Sequence, residues 1–169
     1  MISDAIEALK EELEKSDAGG RLVPASEEDL EQAKQFGFPG VLLDFYRENA
    51  PDARDGRVEL WKSRPASGQR IWSVQNAITE NRDYVPGAHL FPLGYVVFAS
   101  NMFGDAYCVD TVHVDQSGDL PVVLFPHDMI EEGASLEDVQ RYRLPVATNL
   151  EDFLRQLAGR TLIEQAKYA

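Results

Sequence analysis

The chain has 169 residues, 44% hydrophobic and 27% charged, which suits one globular domain with its own core and argues against extended disorder. Its 29 acids against 16 Lys and Arg give a net charge of -13, which disfavours nucleic acid and anionic membrane as partners. The single cysteine, Cys108, excludes an internal disulfide. The lack of an apolar run of ~18 residues, and of a basic-then-apolar leader at Met1 to Glu7, gives the expectation of a cytoplasmic protein.

Ile2, Ile6, Leu9 and Leu13 recur at helical spacing and predict an amphipathic helix within 1–16, stopped by Gly19-Gly20. Ser26-Glu27-Glu28-Asp29 reads as an N-cap with acids in the first turn, opening a short helix through Leu30 and Ala33. Phe38-Pro39-Gly40 leads into a densely apolar segment, Val41 to Tyr46, expected as a helix buried against a sheet. Val58 and Leu60, flanked by Trp61, predict a first strand, and Ala66 to Arg70 reads as a polar loop. Ser73 to Arg82 predicts a helix with Val74, Ala77 and Ile78 inward. From Leu90 to Phe125 the chain is rich in Val, Tyr and Phe and is cut by Gly94, Gly104 and Gln116 to Asp119, which reads as an antiparallel run of about four strands. Alternation puts Tyr107 and Val109 on one face and Cys108 and Asp110 on the other. Glu131 to Gln140 is a polar excursion, and Tyr142 to Val146 predicts an edge strand. Thr148-Asn149-Leu150-Glu151 reads as a capping box before Phe153, Leu154 and Leu157, and a last helix is expected over 162–167. The fold class is α+β: a single domain over 1–169, with a curved antiparallel sheet of five or six strands flanked by helices at both ends.

Candidate chemistry is sparse. His89, His113, His127 and Cys108 supply metal-ligand types, but their spacing matches no helical or hairpin metal motif. Cys108, between Tyr107 and Val109, reads as a packed apolar side chain, with no nearby base to make a thiolate. No serine sits on a strand-to-helix elbow, and no glycine-rich turn precedes a helix in the way a phosphate site requires. Asp115-Gln116-Ser117-Gly118-Asp119 is a partial echo of a calcium loop without its distal bidentate acid, and a hairpin turn through Gly118 explains the same residues. Asp105, Asp110 and Asp128 could pair for acid–base work, but nothing in the sequence brings two of them into one cleft.

The distribution of charge is more informative. Residues 1–60 carry 15 acids and 7 bases, 61–100 carry 2 and 4, 101–140 carry 9 and 0, and 141–169 carry 3 and 5. The third stretch is either a solvated surface that aids solubility or a fixed negative potential that steers a basic partner.

The order of motifs resembles the SUKH superfamily, which groups bacterial toxin-immunity proteins with fungal cell-wall regulators of the Smi/Knr type. Phe38-Pro39 leading into Leu42 to Tyr46 is similar to that family's Leu-Pro entry to its second helix, with Glu48-Asn49-Ala50 where Asn-Gly is usual. Phe91-Pro92-Leu93-Gly94 resembles its hydrophobic-Pro-x-Gly strand, and Gly104-Asp105-Ala106-Tyr107-Cys108-Val109-Asp110 its most specific strand. Val122 to Asp128, with Phe125 where tryptophan is common, and Leu150 to Leu154 resemble the next strand and the closing helix. The likeness covers about 20–158. It implies no cofactor, no catalytic or metal-ligating residue, and function through a protein partner: a basic toxin or effector that an immunity-type protein sequesters. A regulatory scaffold without a toxin is the alternative, and a hydrolase with an unseen site is a third. On this reading the partner-binding residues are Asp105, Asp110, Asp115, Asp119 and Asp128 for steering, with Phe103 and Tyr107 as aromatic anchors.

Overall fold

In the computed structural model, which describes residues 2–16, 19–63 and 66–166, the apolar spacing at the start of the chain forms helix α1 (Ile2–Glu14). Ala5, Ile6, Leu9 and Leu13 make its buried stripe, while Ile2 is exposed. Ser26 caps α2 (Glu27–Phe36) by accepting the Asp29 N–H at 3.1 Å, and Gly37 ends that helix at a φ of 115°, a conformation that favours glycine. Pro39 is the cap residue of α3 (Gly40–Asn49) and not its first helical residue. This helix buries Leu42, Phe45 and Tyr46 beside a small antiparallel sheet of β1 (Leu22–Val23) and β2 (Ala50–Pro51).

The main sheet has six antiparallel strands, each paired with its sequence neighbour. It opens with the hairpin β3 (Arg57–Ser63) and β4 (Ala66–Trp72). The segment Ala66 to Arg70, expected as a loop, is therefore strand. Two of its loop-like residues fit the sheet: Gln69 donates to Glu164 Oε1 at 2.6 Å, and Gly68 lies under the Trp61 ring, where a Cβ would come within 2.1 Å of ring atoms. Helix α4 (Val74–Arg82), capped by Ser73, fills the notch where β4 stops pairing with β5 (Tyr95–Asn101). The Asn81 amide does this by donating to Val97 O and accepting Val97 N–H, both at 2.8 Å, in place of a neighbouring strand.

The expected four strands between Leu90 and Phe125 are three. Helix α5 (Gly87–Leu90) runs straight into a 3-10 turn over Phe91–Leu93, so Phe91-Pro92-Leu93-Gly94 is not a strand. Pro92 has no N–H to give a ladder, and Gly94, at φ 95°, closes the turn by donating to Phe91 O at 3.0 Å. β5 then pairs with β6 (Ala106–Asp110), and β6 with β7 (Val122–Phe125). The polar excursion contains a short helix, α6 (Leu136–Gln140), with a capping box between Ser135 and Asp138. β8 (Leu144–Ala147) is the edge strand, carrying Pro145 where an edge tolerates it. The cap of α7 (Leu150–Ala158) lies one residue later than the sequence suggested: Asn149 accepts the Asp152 N–H at 2.8 Å, and the Asp152 carboxylate takes Thr148 N–H at 2.9 Å. The helix expected over 162–167 is absent. Residues 161–166 run without regular structure along the sheet, held by Tyr107 OH donating to Ile163 O at 2.8 Å and by Asn101 donating to Glu164 O at 2.6 Å. Lys167 lies outside the described residues.

Both faces of β5 to β7 are buried, as near-continuous apolar strands require. On one face Val96, Phe98, Tyr107, Val109, Val122 and Leu124 share a core with α1, which lies against α7. On the other, Tyr95, Val97, Ala106, Cys108, Val123 and Phe125 are covered by Leu90, Ile130 and Val139. Trp72, partly buried, packs against both clusters.

Candidate protein-binding surface

Asp105 and Asp110 bracket β6, and the sequence gives no hint of how differently they are used from the other acids. Each is buried, and each holds a histidine. Asp105 Oδ1 accepts the His127 backbone N–H at 2.9 Å and lies 2.8 Å from His127 Nδ1, while Asn101 donates to Oδ2 at 3.1 Å. Asn101 Oδ1 in turn accepts the N–H groups of Phe103 and Asp105, both at 2.9 Å, so one buried polar cluster shapes the β5–β6 turn. Asp110, 0% exposed, accepts the N–H groups of Val112 and His113 at 2.8 and 3.0 Å and lies 2.9 Å from His113 Nδ1. Arg143 reaches Asp110 Oδ2 from beyond β7, with Nε at 2.8 Å and Nη2 at 2.7 Å. These carboxylates pin loops; neither is presented to a partner. Tyr107 is also fully buried, its hydroxyl bound to the carbonyl of Ile163, and burial pushes its phenol pKa up.

The exposed members lie at opposite ends of the sheet. Phe103, 59% exposed, projects from the β5–β6 turn, at the same end as His127 and Asp128. Asp115 and Asp119 lie at the other end, in the loop between β6 and β7. The five residue steps from Asp105 to Asp110 separate the two ends by roughly 16 Å. Asp115 is occupied within its own turn: its Oδ1 accepts from Ser117 Oγ at 2.7 Å and from the Ser117 and Asp119 N–H groups at 2.8 Å. Those bonds, the Ser117 hydroxyl first, hold its carboxyl below the usual range. Asp119 accepts from Asn149 Nδ2 at 2.9 Å, which ties the loop to the cap of α7. The hairpin-turn reading of Asp115 to Asp119 is thus the one the geometry matches. Among the described residues no three His, Cys, Asp or Glu side chains gather where they could hold a metal ion.

Seven of the nine acids between residues 101 and 140 are exposed: Asp115, Asp119, Asp128, Glu131, Glu132, Glu137 and Asp138. Three of them, Glu131, Glu132 and Asp138, line a cavity of about 300 Å³ with Met129, Arg141 and Tyr142. This concavity on the sheet's second cover was not foreseen from the sequence. The capping box is a local signal for the helix beside it, but nothing local shows the chain folding back from Tyr142 to Met129. Asp138 is held ionised below its usual range by hydrogen bonds from Ser135. The one thiol, Cys108, is buried, and burial together with the nearby Asp110 charge pushes its pKa well up.

A model of the SMI1/KNR4 family (SUKH-1) matches residues 24–156. The chain belongs to that family. In this SUKH-1 protein the matched stretch runs from just before α2 to within α7, and so contains the whole six-stranded sheet; α1 lies outside it. The Gly104 to Asp110 motif falls on β6 with its two buried aspartates. No curated protein matches the chain. Among the described residues no helix is long and apolar enough to cross a membrane. Membership in SUKH-1 places the protein among generally non-enzymatic immunity or regulatory domains that act through protein–protein contact.

Proposed function

We propose that this SUKH-1 protein is an immunity-type binding domain that sequesters a basic effector, using the exposed acids of loop 111–119 and of the 128–138 cover. The observation that carries the reading is that seven acids lie exposed within a stretch containing no lysine or arginine, while the two that are buried brace the loops presenting the others. Same-sign charge on ordered loops steers an oppositely charged protein and speeds encounter, and the speeding is lost as salt screens it. Phe103, exposed at one end, is the aromatic anchor of this reading. Family membership and the burial of the sole thiol favour binding over catalysis. A cytoplasmic location fits sequestration of an effector at its site of action.

The test is co-purification with the product of the neighbouring gene, followed by association kinetics from low to high salt. Neutralising Glu131, Glu132, Asp115 and Asp119 together is expected to slow association and flatten its salt dependence. A partner that binds equally fast at all salt concentrations, or one that is itself acidic, refutes electrostatic capture. The second reading, a regulatory scaffold, gains support if the neighbouring product is no toxin and the partner is a host protein.

A further inference from the structure

Among the described side chains, the hairpin β3–β4 sets Arg57 and Arg70 against the single acid Glu59, in a chain with a net charge of -13. Register pairs Trp61 with Gly68 and Glu59 with Arg70, so all four share one face of the hairpin. Because Gly68 has no side chain, the Trp61 ring lies over it, and Arg70 stacks against that ring at 5.1 Å and against Trp72 at 5.5 Å. Arg70 lies on the face opposite Ile71, which is buried in the first core, and its side chain is 29% exposed.

The guanidinium makes one loose ion pair and no hydrogen bond to a described residue. Its ion-pair partner Glu59 lies 3.7 Å from Nε and already takes a 2.6 Å bond from Arg57, and the Arg70 charge also acts on the half-buried Glu80, whose carboxyl pKa burial pushes up. Trp72 Nε1, beside it, is a second buried donor with no acceptor. Met102, whose N–H donates to Gly68 O at 3.1 Å, continues the row past Trp61 and is exposed, as is Phe103 after it. A planar cation held between two rings, with free donors and an apolar margin, matches a carboxylate carried on a short apolar segment.

We propose that Arg70, clamped by Trp61 and Trp72, is a docking site for an acidic side chain of a partner protein, presented in an apolar segment that lies across Met102 and Phe103. The site is separate from the acidic surface above and opposite to it in charge, and it does not depend on that surface binding anything. Arg70 supplies a bidentate contact to the carboxylate, and the two rings fix the guanidinium plane.

Trp61 and Trp72 are the two tryptophans of the chain, so intrinsic fluorescence reports on this site directly. The full chain is titrated with a short peptide, acetylated and amidated, carrying one glutamate between leucines, and with its glutamine counterpart. The expected result is a saturable change in emission with the glutamate peptide, weaker on the order of tenfold with the glutamine one. Arg70→Met abolishes the difference between peptides, and Arg70→Lys reduces it, each variant's fold being checked by circular dichroism. Equal responses to both peptides in the wild-type protein overturn the proposal without needing any variant. So does an unchanged glutamate preference in a folded Arg70→Met protein, or saturation by inorganic phosphate or a single-stranded oligonucleotide at lower concentration than the peptide.

Discussion

Asp110→Ala is the substitution whose effect the structure specifies most sharply. The carboxylate is wholly buried and carries the paired charge of Arg143, itself 16% exposed, together with the N–H groups of Val112 and His113. Removing it leaves a cation in a poorly hydrated place, for which the usual cost is about 3–5 kcal/mol. The two N–H groups add less, because the loop they start is exposed and water can replace the acceptor. We therefore expect a loss of about 4 kcal/mol, which for a domain of this size lowers Tm by roughly 8–16 °C. Asp110→Asn keeps an acceptor for the backbone donors and loses only the charge, so it is expected to cost about 2–3 kcal/mol.

Urea unfolding of four proteins closes the cycle: wild type, Asp110→Ala, Arg143→Met, and the double variant. The double variant removes both charges and leaves no unpaired cation, so it is expected to recover roughly 2 kcal/mol relative to the sum of the singles. Additive single effects, or a loss below about 1 kcal/mol for Asp110→Ala, would show that this carboxylate does not hold the loop, and the division between bracing and exposed acids would fail with it.

Two further outcomes follow from the same geometry. Cys108, between strands and with its thiol pKa raised, is expected to react with an aromatic disulfide reagent only as fast as the protein unfolds globally, and faster in Asp110→Ala; rapid labelling of the native protein contradicts its placement. Asp52 accepts bonds from the side chain and backbone N–H of Arg54, then from Arg21, which hold its carboxyl well below the usual carboxylate range. Its folded pKa is depressed, so its contribution is present above the unfolded value of about 4 and is lost as pH falls toward the folded one. Asp52→Asn should flatten the decline of stability on the acid side, and an unchanged slope refutes the assignment.

The helices α1 to α4 and α7 were readable because their determinants are local. Ser26 with its following acids, and the stripe of Ile6, Leu9 and Leu13, lie within a few residues of what they specify. β4 was not readable. Gln69 is buried because Glu164, 95 residues away, accepts its hydrogen bond, and Gly68 is required by the Trp61 ring across the hairpin; in sequence both look like loop residues. Pro92 and Gly94 sit in a run that looks like a strand by composition, and backbone chemistry overrode it. The candidate site divides in the same way. Asp110 and His113 are three residues apart, a spacing visible in the chain, whereas Asp105 and His127 are separated by 22 and meet only through the pairing of β6 with β7. A count of charges treats every acid alike, and so it could not distinguish the two that face inward from the seven that do not.

The distinction matters for how the SUKH-1 motif is understood in this protein. The stretch most specific to the family, Gly104 to Asp110, exposes neither of its acids; it forms a strand buried on both faces, with an anchored loop at each end. In the proposed reading, recognition falls to what those anchors hold in place: Phe103 on one side, and the 111–119 turn on the other. The ends are roughly 16 Å apart, and β4 lies two strands from β6, about 10 Å away. A standard interface of about 800 Å² per partner is wide enough to span all three. A partner engaging both acidic loops and Arg70 would meet opposite charges at known positions along one sheet, and that arrangement fixes its orientation as well as its rate of approach. On the proposed reading the buried strand supplies rigidity, and specificity resides in the loops and at Arg70.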